Sequence, residues 1–128
     1  MADFDLIGGT GGVDRIVGDL VDRMSADFII GYLFIGRDRE RIVRHELELA
    51  NAHLGGPRRY TGRPLAAVHK PLRINRGHFL RRIALLRVVL RDHGVQEGVA
   101  ERWLAHDLAL ESAITDGTDC VVNTSAEG

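Results

Sequence analysis

The apolar residues Val13, Ile16, Val17, Leu20, Val21 and Met24 recur at steps of three and four. That spacing gathers them into one stripe on an α-helix, whereas on a strand it would scatter them over both faces. This stripe constrains the chain more than any other feature, because a helix with so continuous an apolar face needs other elements to cover it. Asp14, Arg15, Asp19 and Asp22 take the opposite side, and Thr10 or the Gly11-Gly12 pair can open the helix.

Comparable helices follow. Asp38 is placed to cap a second one running to Leu54, where Gly55-Gly56-Pro57 stops it. Its Glu40 and Arg44 stand in the favourable i,i+4 order. Asn75 caps a third, Arg76 to His93, with Phe79, Ile83, Leu86, Val89 and Leu90 inward and Gly94 closing it. A fourth is expected from Gln96 to Thr115, burying Val99, Trp103, Leu104, Leu108 and Ile114. Between the second and third, GGPRRYTGRP is a loop by its Gly and Pro content. Pro64 then suits the first turn of a short helix, LAAVHK, which Pro71 ends. The apolar run Phe28 to Ile35 is too short for periodicity to separate a strand from a buried helical turn. The fold class is therefore all-α, with two longer helix pairs and one domain over residues 1–114. Residues 115–128, rich in small and acidic types, are expected to fray.

Composition excludes several functions. A formal net charge of -1 gives no basic surplus for nucleic acid, and 5% aromatic residues supply no stacking platform for single strands. Cys120 stands alone, so neither an intrachain disulfide nor a thiolate zinc site is available. Asn123-Thr124-Ser125 fits a glycosylation sequon, but MADFDLIGG lacks the basic flank and apolar stretch of a secretory signal. No apolar run reaches the roughly 20 residues of a spanning helix, and the expectation is a cytoplasmic protein with no membrane partner.

A polar residue on an apolar stripe is informative, because burying it is costly unless it is paired or functional. Three residues qualify. His69 shares a face with Leu65, Val68 and Leu72, and is either a core histidine bonded to a carbonyl or an axial metal ligand. Glu46 lies among Ile42, Val43, Leu47 and Ala50, and Arg82 among Phe79, Ile83, Leu86 and Val89. Either can reach water at the edge of its stripe; if both face inward they are natural partners, since a lone buried charge is worse than a pair. Arg81, Arg87 and Arg91 read as solvated surface, as does His45 beside Glu46. His53, His78, His93 and His106 show no metal-ligand spacing.

Leu6-Ile7-Gly8-Gly9, then Leu54-Gly55-Gly56-Pro57 with Tyr60-Thr61-Gly62, then His69 before Ile74 and Phe79, together resemble the truncated haemoglobins, nearest to group 1. The resemblance covers residues 6 to 114 and implies a two-over-two helical sandwich around haem b. In it His69 matches the proximal iron ligand, and Phe34 the phenylalanine that packs flat on the haem. Leu65, Leu72, Ile74 and Phe79 match positions around the proximal face, and Arg73, Lys70 and Arg41 are candidate partners of the propionates. Val21 stands where the family usually has a hydrogen-bonding tyrosine, and Glu46 where it often has glutamine. Arg82 replaces an apolar residue or tryptophan. The distal pocket expected from the resemblance is thus Val21, Ile42, Glu46 and Arg82.

The function implied is binding of dioxygen or another diatomic gas, with oxygen-dependent chemistry such as nitric oxide dioxygenation fed by an electron-donor reductase. The alternative is a haem-dependent enzyme in which Glu46 moves a proton and Arg82 anchors a small polar or N–O-containing substrate. Peroxidase-like chemistry is a further option, and a haem or redox sensor, or a haemless globin-like interaction module, a third reading. Ligation by His45 from the distal side would require the second long helix to turn by one position.

Overall fold

The computed structural model describes residues 1–116, and among them there is no strand. Helices α1 (Asp3–Leu6), α2 (Gly9–Ala26), α3 (Arg39–Leu54), α4 (Leu65–His69), α5 (Arg76–Asp92), α6 (Glu97–Leu108) and α7 (Glu111–Ile114) follow in chain order. Two 3₁₀ turns, Gly31–Phe34 and Lys70–Leu72, complete the set. Cys120, the sequon and most of the expected tail lie outside the described residues.

Helix α2 is the centre of the core, with Val13, Val17, Leu20, Val21 and Met24 each at most 1% exposed. It packs on α3 and on α5, while α5 packs on α6 and α6 returns to α3. The result is two helix pairs, α2–α3 and α5–α6, packed on each other, as the stripes require. The start of α2 depends on glycine. Gly8 caps it at φ 98°, and a Cβ on Gly12 would lie 1.8 Å from the Ile7 carbonyl oxygen. That close approach lets α1 fold back onto α2.

Asp38 caps α3 by accepting from the amides of Glu40 and Arg41, and Gly55 ends it at φ 87°. Asn75 caps α5 through the His78 amide, and the His78 ring accepts from the Asn75 amide in return. The loop after α3 is tied down by buried Glu48, which accepts from the Thr61 amide and hydroxyl, both at 2.9 Å.

Several expectations are corrected. The single last helix is two, because the chain turns at Ala109 and Leu110 before α7. Leu108, expected in the core, is 41% exposed, and Asp107 takes the inward position instead. The run Phe28 to Ile35 forms the first 3₁₀ turn, leaving Phe28 and Ile35 exposed. Arg81 is not free surface: it forms a 2.6 Å ion pair with Asp27, whose side chain is buried. Thr115 and Asp116, expected to open the tail, are held to the body. The Thr115 carbonyl accepts from Lys70, and the Asp116 amide donates to the Ile74 carbonyl at 2.8 Å.

Candidate functional site

The helix pairs do not close completely. A cavity of about 470 Å³ opens between α3 on one side and α4 with the start of α5 on the other, within the usual range for small-molecule sites. Its walls are mainly apolar. Phe34, Ile42, Leu65, Leu72, Ile74 and Phe79 all line it.

His69 lines the same cavity from the end of α4. Its Nδ1 lies 2.8 Å from the Leu65 carbonyl oxygen. A carbonyl only accepts, so Nδ1 carries the proton and the lone pair is on Nε2. Burial works against a charged ring and holds His69 below the usual histidine range, only partly offset by the Leu65 carbonyl and by Glu46. The two roles left open by spacing are therefore compatible: a histidine bonded to a carbonyl through one nitrogen offers the other as a neutral donor. Helix α4 has five residues and passes directly into the 3₁₀ turn containing Pro71, so the helical path continues to Leu72 with few hydrogen bonds of its own.

Glu46 and Arg82 both face the cavity and meet there. Arg82 Nη1 donates to Glu46 Oε2 at 2.7 Å and Nη2 to Oε1 at 3.0 Å, a fork-to-fork pair. Nη2 also donates to Asp107 Oδ2 at 3.0 Å, and Nη1 makes a longer 3.7 Å contact with Met24 Sδ. Asp107, 5% exposed on α6, accepts as well from His106 Nδ1 at 3.2 Å if that nitrogen is protonated. Burial works to lower the Arg82 pKa, but Glu46 and Asp107 outweigh it and leave the guanidinium more firmly protonated than usual. Burial likewise works to raise Asp107, yet His106 and Arg82 hold its carboxyl below the ordinary value.

Three sequence assignments move. Val21 is fully buried but lies off the cavity wall; α2 presents Val17, Leu20 and Met24 there, and Val21 points into the core about a fifth of a turn from the centre of that face. Arg73 is exposed at a left-handed position (φ 56°) closing the second 3₁₀ turn, and does not line the cavity. Lys70 turns to the carbonyls of Ser112 and Thr115. Besides Arg82, the arginines on the cavity wall are Arg37, Arg41 and Arg63.

Three histidines that spacing leaves as bystanders, His45, His53 and His78, line the cavity. His45 lines the cavity beside Glu46, its ring held edge-on by Tyr60 at 5.6 Å. His53 lies at the inner end, stacked on His106 with centroids 4.1 Å apart and planes 18° apart, and edge-on to Trp103. Its Nε2 is buried with no hydrogen-bond partner among the described residues, and burial pushes its pKa down to about 4. Donor atoms of His53, His106 and Asp107 come within 4.8 Å of one another. Near-parallel rings do not aim two lone pairs at one point, however, and Asp107 is already bonded to Arg82. Asp107 sits four residues after Trp103 and three after Leu104 on the apolar stripe of α6, a stripe that Leu108 fits equally well by spacing.

Comparison with known proteins bears on the family and the fold. The family model described as bacterial-like globin matches residues 2–116. A group 1 truncated hemoglobin of Nostoc sp. is 29% identical over 76 residues, 59% of this chain and 64% of that protein. One from Mycolicibacterium paratuberculosis is 34% identical over 76 residues, 59% of this chain and 56% of that protein. The matched stretch therefore spans less than two thirds of either relative. In three dimensions, truncated hemoglobin from Tetrahymena pyriformis in its Fe(III) form superposes with a TM-score of 0.82 at 21% identity, covering 92% of this chain and 100% of that one. The fold is that of a two-over-two hemoglobin.

Proposed function

Since the chain belongs to the bacterial-like globin family, we propose that its cavity holds haem b, with His69 Nε2 as the axial iron ligand, and that the protein binds dioxygen or another small diatomic ligand on the opposite side. The observation that carries this is the Nδ1–Leu65 hydrogen bond, which leaves a neutral Nε2 on a histidine lining an apolar cavity of suitable size. The other residues present fit the same group. Phe34, Leu65, Leu72, Ile74 and Phe79 supply apolar contact for a flat macrocycle, and Arg37, Arg41 and Arg63 supply cations for carboxylates at its edge. Bound haem contributes an iron centre with one position left for a ligand. Around that position the chain supplies Ile42 as an apolar wall and Glu46 and Arg82 as the polar groups, in place of neutral donors.

That charged pair favours a second reading, a haem-dependent enzyme acting in the cytoplasm on a small polar or N–O-containing substrate. Glu46 would accept or donate a proton at a carboxylate oxygen, Arg82 would hold it in place, and electrons would come from a separate reductase. No helix among the described residues is long and apolar enough to cross a membrane.

The central reading is tested by the absorption spectra of the haem-loaded ferric and ferrous protein beside His69→Gly. A Soret band altered in the variant and restored by added imidazole is expected. A wild-type protein that folds but takes up no haem refutes it.

A further inference from the structure

Resting on the reading just given, we infer that Asp107 makes the distal end of this cavity selective for neutral or cationic ligands over anions.

An arginine facing a ligand cavity normally attracts anions, and Arg82 alone would do so. Its hydrogen bonds say otherwise. Of its terminal nitrogens, Nη2 is bonded to both Glu46 and Asp107, and Nη1 to Glu46. The one terminal contact that a ligand could replace cheaply is the 3.7 Å approach of Nη1 to Met24 Sδ. Charge points the same way. Glu46 and Asp107 together outnumber the single guanidinium, so the cluster carries one net negative charge at neutral pH. The His53 ring, stacked on His106 behind the cluster, does not cancel it, staying neutral down to about pH 4. The remaining arginines on the cavity wall, Arg37, Arg41 and Arg63, are those matched above to the haem carboxylates.

An anion entering this end would lose hydration, meet a net negative cluster, and find only one weakly held N–H. A neutral ligand loses less hydration and meets no repulsion. A neutral or protonated amine, hydroxylamine-like or imidazole-like ligand can also donate to the carboxylate oxygens. Asp107 is the residue that decides between these outcomes, since without it Glu46 and Arg82 would cancel and an Nη2 N–H would be released. Asp107 acts through Arg82 and need not touch the ligand.

The test uses the haem-loaded ferric protein, titrated with azide as the anion and imidazole as the neutral ligand, each followed by the shift of the Soret band. In Asp107→Asn azide affinity rises on the order of tenfold, while imidazole affinity changes less than about twofold. Asp107→Glu, which keeps the charge, stays near wild type. Glu46→Gln removes the other negative charge and must move azide in the same direction, so the test does not depend on one variant folding. Parallel changes for azide and imidazole, or no change in either variant, overturn the inference while leaving the haem reading intact. Absence of a Soret band in the wild type overturns both.

Discussion

Replacing Arg82 by Met probes the most consequential contact in the molecule. Methionine keeps the apolar stem of the side chain but removes three charge-assisted hydrogen bonds of 2.7, 3.0 and 3.0 Å. It leaves two carboxylates behind with different means of escape. The Glu46 side chain is 21% exposed and can swing to water, whereas that of Asp107 is 7% exposed on a packed helix. Removing one partner of a buried ion pair costs about 3–5 kcal/mol. Because Glu46 can relax, the lower end of that range is expected, about 3 kcal/mol at pH 7.

The pH dependence identifies the cause. In the wild type Asp107 is held below its ordinary value, so its contribution is present above the unfolded carboxylate pKa and is lost as pH falls through the folded one. In Arg82→Met burial acts without the guanidinium, opposed chiefly by the His106 bond, and the folded Asp107 pKa rises above that of the wild type. The folded variant then binds this proton at higher pH than the folded wild type, and its deficit shrinks as pH falls from 7 to 5. Urea unfolding at both pH values measures this. A loss below about 1 kcal/mol at pH 7, or a deficit that grows at pH 5, would refute the idea that the cluster is desolvated.

Two further outcomes follow from other parts of the fold. Burial holds His53 neutral down to about pH 4, against about 6.5 for an unfolded histidine. Its depressed value makes wild-type stability fall as pH drops from 6.5 toward 4; His53→Leu should flatten that slope in urea titrations, and an unchanged slope would assign it to other groups. In Gly12→Ala the new Cβ meets the Ile7 carbonyl at 1.8 Å, and backbone cannot step aside as a side chain can. A loss of about 1–3 kcal/mol is expected in thermal melts, and a melting temperature equal to wild type would show that α1 does not lie on α2.

The long helices were legible because each is written twice, once in its stripe and once in its ends. Asp38 and Gly55 bound α3, and Asn75 bounds α5, with side-chain or backbone geometry that local sequence dictates. Where sequence reasoning failed, tertiary contact decided. Nothing local marks Glu48 as buried; its partner Thr61 is thirteen residues away in a loop. Arg81 looks solvated on its own helix and is paired only because Asp27 stands across the gap. Residues 109–110 carry no Gly or Pro, so the break between α6 and α7 had no breaker to announce it.

The site divides along the same line. His69, Glu46 and Arg82 were visible as polar residues on apolar stripes, and that test succeeds because burial of such groups demands an explanation. It gave the wrong charge balance because it stopped at two members. A wheel places Asp107 with Trp103 and Leu104, yet Leu108 is as good a fit to the same stripe on hydrophobicity alone. Only the packing of α6 on α3 and α5 turns Asp107 inward and Leu108 out. Sequence could thus announce a charged distal pocket, but its sign depended on which of two adjacent side chains a helix rotation buries. With Leu108 inward, Glu46 and Arg82 would neutralise each other and an anion would face a free Nη2 donor. With Asp107 inward, the guanidinium is held by two carboxylates and the ligand preference reverses.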